Sequence, residues 1–103
     1  MVGSGMSRLG DLESGHGCYY PVPIVSTTGT VLVNKIPAAA VGDVTSTHTC
    51  PKKPTHIDMI SIGSKTVFVN KKSSARIGDV LKSLGPGGPA VMAQGSHSVL
   101  AGG

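Results

Sequence analysis

Large aromatic side chains are scarce in this chain. Its 103 residues include two tyrosines, one phenylalanine and no tryptophan, against 15 glycines and 7 prolines. Aromatic residues bury the most area per side chain, and a glycine-rich backbone loses more conformational entropy on folding than other sequences do. We therefore expect one small domain with a thin core. Such domains usually gain further stability from a disulfide, a structural metal ion or a partner subunit.

Long apolar runs are also missing. No stretch is long enough to span a bilayer, and the first residues lack the charged start and apolar segment of a secretory signal. This favours a cytoplasmic origin, in which Cys18 and Cys50 are metal ligands or free thiols rather than a disulfide. Residues 1–5 precede a second methionine, and we interpret them as a cloning remnant ahead of a single domain at residues 6–103.

Basic residues are in modest excess, with nine lysines and arginines against five acids and a formal net charge of +4. The lysines are scattered apart from Lys52-Lys53 and Lys71-Lys72. No aromatic residue is interleaved with them to stack on bases. This pattern favours a solvated surface over a nucleic-acid interface.

Two short elements each occur three times along the chain. The first reads Arg8-Leu-Gly-Asp11, Ala40-Val-Gly-Asp43 and Arg76-Ile-Gly-Asp79. The second reads Thr30-Val-Leu-Val-Asn34, Thr66-Val-Phe-Val-Asn70 and Ser98-Val-Leu-Ala-Gly102. The second element has the alternation and the flanking turn residues of a strand, and no window has helical periodicity. The chain is predicted to be all-β, with three loop-and-hairpin repeats around a pseudo-threefold axis.

The repeat also predicts local turns. Asn34-Lys35 and Asn70-Lys71 suit tight hairpin turns, because asparagine tolerates positive φ. Each Gly-Asp pair suits a corner in which glycine takes an unusual φ and the aspartate accepts backbone N–H groups. Arg8 and Arg76 are placed to pair with those aspartates.

Histidine and cysteine occupy equivalent places in two of the three repeats. His16 aligns with His48, and Cys18 aligns with Cys50, each counted from the repeat glycine. The third repeat has Leu84 and Pro86 at those places, and His56 belongs to the second loop alone. Loops that meet at an axis can present four nitrogen and sulfur ligands to zinc without a helix. The candidate ligands are His16, His48, His56 and Cys50, with Cys18 as the other candidate for the sulfur.

Catalytic readings of the same residues are weaker. Cys50 with His48 lacks a third group to orient the base, and the prolines nearby argue against a regular loop. Glu13 could serve a hydrolytic metal as general base, but we expect it to be a solvated loop charge. His97 is expected to lie in an exposed turn, and Tyr19 and Tyr20 to cover the small core.

These residues carry a family likeness. Ile36-Pro-Ala-Ala-Ala-Val-Gly-Asp43 resembles the Pro-Ala-Ala-Arg signature of PAAR-repeat proteins, with Ala40 in place of arginine. Ser74-Ala-Arg-Ile-Gly-Asp79 keeps Ala-Arg without the proline. The combination of corners, histidine and cysteine loops and hairpins extends from Met6 to Gly103. In length the chain is similar to the small spike-tip proteins of contractile phage tails.

The resemblance implies a cone of three β-hairpins with one structural zinc ion near its point, held by three histidines and a cysteine. It implies a monomeric, non-enzymatic tip that caps a trimeric β-helical spike, one tip per trimer, in a phage baseplate or a type VI secretion system. Such a tip contacts the target cell envelope only transiently and takes no nucleic acid or small-molecule substrate. The expected spike-binding residues are Ile36, Pro37, Ala38, Ala39, Ser74 and Ala75.

Two other classes of function stay open at this stage. A zinc-dependent hydrolase would use the three histidines as ligands and leave Cys50 free. A basic zinc-containing nucleic-acid binder would show affinity that falls steeply with salt. The sequence alone does not decide whether the metal is zinc or iron, or whether Cys50 or Cys18 is the sulfur ligand. It also does not decide whether the protein belongs to a phage tail or to a secretion apparatus.

Overall fold

A computed structural model describes residues 3–27, 30–85 and 88–102, so residues 1–2, 28–29, 86–87 and 103, among them Pro86, lie outside the described part. Every regular element described is a short strand, which confirms the all-β prediction. The strands are β1 (Ser4–Gly5), β2 (Leu32–Val33), β3 (Ile36–Pro37), β4 (His48–Cys50), β5 (Lys53–His56), β6 (Asp58–Ile60), β7 (Phe68–Val69), β8 (Lys72–Ser73), β9 (Val80–Ser83), β10 (Ala90–Val91) and β11 (Leu100–Ala101). The described residues form no helix suited in length and apolarity to crossing a membrane.

Three repeat-related hairpins form one end of the molecule, which we call the base: β2–β3, β7–β8 and β11–β1. The first two have two-residue turns in which Asn34, Lys35, Asn70 and Lys71 all take φ between 50° and 69°. This left-handed conformation is the one that the asparagines predicted.

The third hairpin joins the two ends of the described chain. Ser4 pairs with Ala101, and Gly5 pairs with Leu100. Ser4 and Gly5 thus stand where Ile36–Pro37 and Lys72–Ser73 stand in the other hairpins. These two residues belong to the segment interpreted as a cloning remnant, and the limits of the domain stay a prediction.

A ring of three backbone hydrogen bonds marks the pseudo-threefold axis. The N–H of Ser7 donates to the carbonyl of Ala75, that of Ala75 to Ala39, and that of Ala39 to Ser7, at 2.9–3.0 Å. All three residues are fully buried. Small side chains are required here because three backbone segments meet at one axis.

The Gly-Asp corners repeat with the same geometry. Gly10, Gly42 and Gly78 have φ of 89°, 97° and 92°, a region that L side chains rarely adopt. In each corner the aspartate Oδ2 accepts the N–H of the residue three positions earlier, at 2.7–2.8 Å. Arg8 and Arg76 add side-chain bonds to their aspartates, and each pairing raises the pKa of its guanidinium. Ala40 leaves Asp43 without such a partner in its own corner.

The core is thin and split into two clusters. The cluster nearer the hairpins consists of Met6, Val33, Ala38, Ala40, Val69 and Ala101. The second consists of Ile24, Ala39, Ile60, Ala75, Leu81 and Met92. Alanine is frequent in both, so each buried residue contributes little apolar area, as the composition indicated.

Beyond the axis ring, three loops form the other end of the molecule, which we call the apical half: residues 13–22, 45–58, and 81–85 with 88–90. The chain passes from a hairpin through the ring to a loop in each repeat, which places the loops opposite the base. The molecule is elongated, with extents of 41 × 26 × 22 Å. In the second loop β4 pairs with β5, while β9 of the third loop lies between β6 and β10.

Candidate metal centre

Three short elements of the apical half bring three histidines together. His16 precedes the Gly17-Cys18 turn and exchanges two backbone hydrogen bonds with Tyr19. His48 and His56 face each other across the β4–β5 pair. Because alternate residues of a strand point to the same side, His48 turns inward while Thr49 is exposed.

Asp58 completes the cluster from β6. The Nε2 atom of His56 lies 2.9 Å from that of His48 and 3.1 Å from that of His16. The Asp58 carboxylate lies 3.2 Å from His56, 3.3 Å from His16 and 3.4 Å from His48, each measured to Nε2. A tetrahedron with metal–ligand bonds of about 2.0 Å has edges of about 3.3 Å, so these spacings fit a single zinc-sized ion.

The hydrogen bonds around the rings point to the same conclusion. Nδ1 of His48 lies 2.8 Å from the carbonyl of Tyr20, which can only accept, so Nδ1 carries the proton. In a neutral ring this leaves a lone pair on Nε2, directed at the other histidines. Nδ1 of His16 and of His56 are buried without a partner among the described residues. Converging ring lone pairs repel one another unless a cation lies between them, so the donor set fits a metal ion.

The surroundings shield the imidazoles from solvent and disfavour a charge on His56. His16, His48 and His56 are at most 9% exposed, and Asp58 is fully buried. Burial lowers the pKa of His56, with further contributions from the neighbouring histidines, while Asp58 acts in the opposite direction. Tyr19 packs on all three rings, with centroids 4.3–5.1 Å away, and donates from its hydroxyl to the Pro54 carbonyl. A neutral imidazole is the form that binds metal.

Glu13 lies next to this cluster and is also fully buried, so its assignment as a solvated loop charge is wrong. Its carboxyl group lies near that of Asp58, and its Oε2 atom has no hydrogen-bond partner among the described residues. Burial, followed by the neighbouring carboxyl group of Asp58, raises the pKa of Glu13 to about 8.

Among the four predicted ligands, the structure brings the three histidines together and places Cys50 elsewhere. Cys50 is bonded to Cys18, with Cα atoms 5.5 Å apart, which corrects the expectation that these cysteines form no disulfide. The disulfide links the two loops that carry His16 and His48. The sulfur of Cys50 is thus not offered to the histidines in this structure.

Sequence reasoning missed Asp58, although the repeat contains a signal for it. Counting back two residues from Ile24, Ile60 and Met92 gives Val22, Asp58 and Ala90. All three of these positions are buried, and only the second carries a charge. A carboxylate at a place that is apolar in the other repeats indicates a special role.

The predicted spike-binding residues lie mostly inside the chain. Ala38, Ala39, Ser74 and Ala75 are at most 1% exposed, since they surround the axis ring and the first core cluster. Ile36 and Pro37 are half-buried on β3. Only these last two offer side-chain surface to another molecule.

A known protein family matches much of the chain. The family model described as the PAAR motif matches residues 14–83. This range contains the four clustered residues, two of the corners and two of the base hairpins. No curated protein matches the chain.

Proposed function

Because the chain belongs to the PAAR-motif family of spike-tip proteins, we propose that it caps and sharpens the trimeric β-helical spike of a contractile injection apparatus. The observation that carries this proposal is the closed ring of Ser7, Ala39 and Ala75, since one chain there presents three similar sides to a partner. A threefold spike end can meet each side in an equivalent way. One tip per spike trimer follows from this symmetry.

We propose that the metal is zinc and that its role is structural. The proposed ligands are His16, His48 and His56, with Asp58 as the fourth in place of Cys50. Zinc accepts imidazole nitrogen and carboxylate oxygen, and an ion here would join the first and second apical loops. Free energy of metal binding to a site formed only in the folded state adds to folding stability. The apical half, with few apolar contacts, gains most from it.

Burial of the ligands supports this role over hydrolysis. A catalytic zinc site keeps one position open to water and substrate. Here all four side chains are enclosed, and Tyr19 covers the rings with only 3% of its surface exposed. A closed site suits a tip that must stay folded under load.

The proposed docking surface is apolar and follows the repeat. Leu32, Phe68 and Leu100 stand at equivalent positions of the three hairpins and are 50–59% exposed. Half-buried Ile36 lies on the strand paired with that of Leu32. Three equivalent apolar side chains match the end of a trimer better than an asymmetric partner, and the spike covers them while the tip covers its strand edges.

Metal content and cobalt spectroscopy test the metal site. We expect one zinc ion per chain, and a tetrahedral cobalt(II) spectrum without thiolate charge-transfer bands. An intense thiolate band would instead assign Cys50 or Cys18 as a ligand. If the purified protein contains no metal, the proposed structural zinc site is wrong.

Binding to the purified spike trimer tests the docking surface. Phe68→Glu places a charge on the proposed interface, and Leu84→Glu is its matched control, because Leu84 is 48% exposed but lies in the apical half. We expect Phe68→Glu to abolish capture of the trimer and Leu84→Glu to retain it. The reverse result would place the interface on the apical loops.

A further inference from the structure

Charged side chains of opposite sign are separated between the interior and the surface. All five acidic residues of the chain are buried: Asp11, Glu13, Asp43, Asp58 and Asp79. All seven lysines are exposed: Lys35, Lys52, Lys53, Lys65, Lys71, Lys72 and Lys82. The two arginines pair with the aspartates of their own corners. The surface therefore presents seven lysines and no acidic side chain, a stronger imbalance than the net charge of +4 indicates.

Lysines lie beside each of the three base hairpins. Lys35 and Lys71 stand at equivalent positions, in the turns of β2–β3 and β7–β8. Lys65 follows Ser64, whose hydroxyl donates to the carbonyl of Gly102 at the end of β11. Each hairpin thus combines an exposed apolar side chain with a lysine beside it, and the positive charge is not confined to one side of the base.

This combination favours a partner of opposite charge. Contact between apolar side chains supplies affinity, whereas opposite charges mainly raise the rate of association and exclude partners of like charge. A surface that serves solubility alone generally mixes both signs. Because every acid of this chain is buried, its lysines meet no acidic side chain on its own surface, and an acidic partner would supply the missing charge.

We propose that the partner surface covering the base carries acidic side chains placed around an apolar contact, and that the hairpin lysines steer it into place. This inference rests on the docking surface proposed above and specifies the chemistry of the spike end. Carboxylates lie opposite Lys35, Lys65 and Lys71, and apolar side chains meet those of the hairpins. Added salt weakens such steering, because exposed charges are screened beyond about 8–10 Å at about 0.1–0.15 M ionic strength.

Two double variants separate this local pairing from the effect of total charge. Lys35→Glu/Lys71→Glu reverses the hairpin lysines, and Lys52→Glu/Lys53→Glu reverses the same number of charges in the apical half. Lys52, like Lys35 and Lys71, has φ between 65° and 69°, so the backbone conformation is matched at that position. Association and dissociation rates with the purified spike trimer are measured at low and at high salt.

The wild type is expected to associate faster at low salt. Lys35→Glu/Lys71→Glu should associate at least about tenfold more slowly than the wild type at low salt, and Lys52→Glu/Lys53→Glu should stay within about threefold of it. If the base variant does not fold, Lys35→Gln/Lys71→Gln removes the same two charges and should associate more slowly than the apical variant.

Three other results would overturn the inference. Wild-type association that does not depend on salt would show that the spike end is not acidic. Equal slowing in the base and apical variants would assign the effect to total charge rather than to the hairpin lysines. Both of these results leave the docking surface itself in place. A wild type that does not bind the trimer at any salt concentration would overturn the proposed function together with this inference.

Discussion

The three repeats have similar residues at equivalent positions in the base but different residues at equivalent positions in the apical half. In the base, equivalent positions hold equivalent residues: Val33, Val69 and Ala101 are buried, while Leu32, Phe68 and Leu100 are exposed. In the apical half the equivalence is lost. The first loop has a histidine at the position six residues after its glycine and so does the second, whereas the third has Leu84.

This difference separates residues that build the fold from residues that build the site. A symmetric position satisfies backbone and packing demands shared by all three repeats, so one solution serves three times. An asymmetric polar residue in a buried layer has a cost that folding alone does not explain. His56, Asp58 and Glu13 are such residues, and all three lie at the candidate metal centre.

Removing a metal ligand should have the largest effect, and it should be confined to the apical half. His48→Ala is expected to abolish binding of the ion and to lower the melting temperature of the zinc-loaded protein by at least about 10 °C, because a structural ion contributes several kcal/mol. Metal analysis and calorimetry measure both effects. The control is His97→Ala, which changes an exposed histidine away from the cluster. Equal behaviour of the two variants would contradict a site in the apical half.

Removing the disulfide should have the next largest effect. Cys18 and Cys50 are 32 residues apart, and a closed loop of this size stabilises by about 3–4 kcal/mol in the chain-entropy model. The double variant Cys18→Ser/Cys50→Ser is expected to lose about this much in urea unfolding while still binding one metal ion. Loss of the ion together with stability would indicate a sulfur ligand.

Removing residues 1–5 should affect the base alone. The Gly5 carbonyl accepts the Ile77 N–H at 2.9 Å, and Ser4–Gly5 form the second strand of the third hairpin. At about 1 kcal/mol for each net hydrogen bond, we expect a loss of about 2 kcal/mol with metal affinity unchanged. A variant lacking only residues 1–2 keeps that strand and is the control. Equal stability of the two truncations would support a domain that begins at Met6.

The corners offer a smaller test within the repeat itself. Asp79→Asn breaks a two-point pairing with Arg76 and should cost about 1 kcal/mol. Asp43→Asn should cost little, because asparagine can still accept the Ala40 N–H and Ala40 offers no guanidinium. Chemical unfolding of both variants at neutral pH measures the difference. A larger loss at Asp43 would show that the arginines do not stabilise their corners.

The smallest expected effect is the pH dependence of the Asp43 corner. Burial raises the pKa of Asp43 above its ordinary value, partly offset by the Ala40 N–H and by Lys72. A raised pKa in the folded state means that stability is present below the unfolded pKa of about 3.9 and is lost as pH rises. The free energy of unfolding of the wild type, relative to Asp43→Asn, should therefore fall as the pH rises from about 3 through the raised pKa of Asp43. A difference that rises over this range would contradict the burial effect.

Residues that act locally were predictable. Asn34 and Asn70 predicted their turns because few residues accept positive φ. Gly42 with Asp43 predicted a corner for the same reason. The three histidines stood out because the repeat aligned two of them and placed the third alone in the second loop. These inferences needed only spacing along the chain.

Residues that act through neighbours distant in sequence were not predictable in this way. Glu13 and Asp58 are 45 positions apart, and a lone acid in a loop or strand is usually solvated. The pairing of Cys18 with Cys50 depends on loops whose approach no local pattern encodes. The burial of the predicted docking residues Ala39 and Ala75 was not predictable either, because their meeting with Ser7 at the axis is a property of the closed ring.

The strands, the turns, the corners and the threefold repeat could be predicted from the sequence, since these follow from backbone preferences within a few residues. The packing of the three loops sets which side chains share the buried apical layer, and thus that an aspartate joins the three histidines beside a buried glutamate. The physical reason is that burial and carboxyl contact arise from the packing of all three loops together, and a linear pattern contains no measure of either.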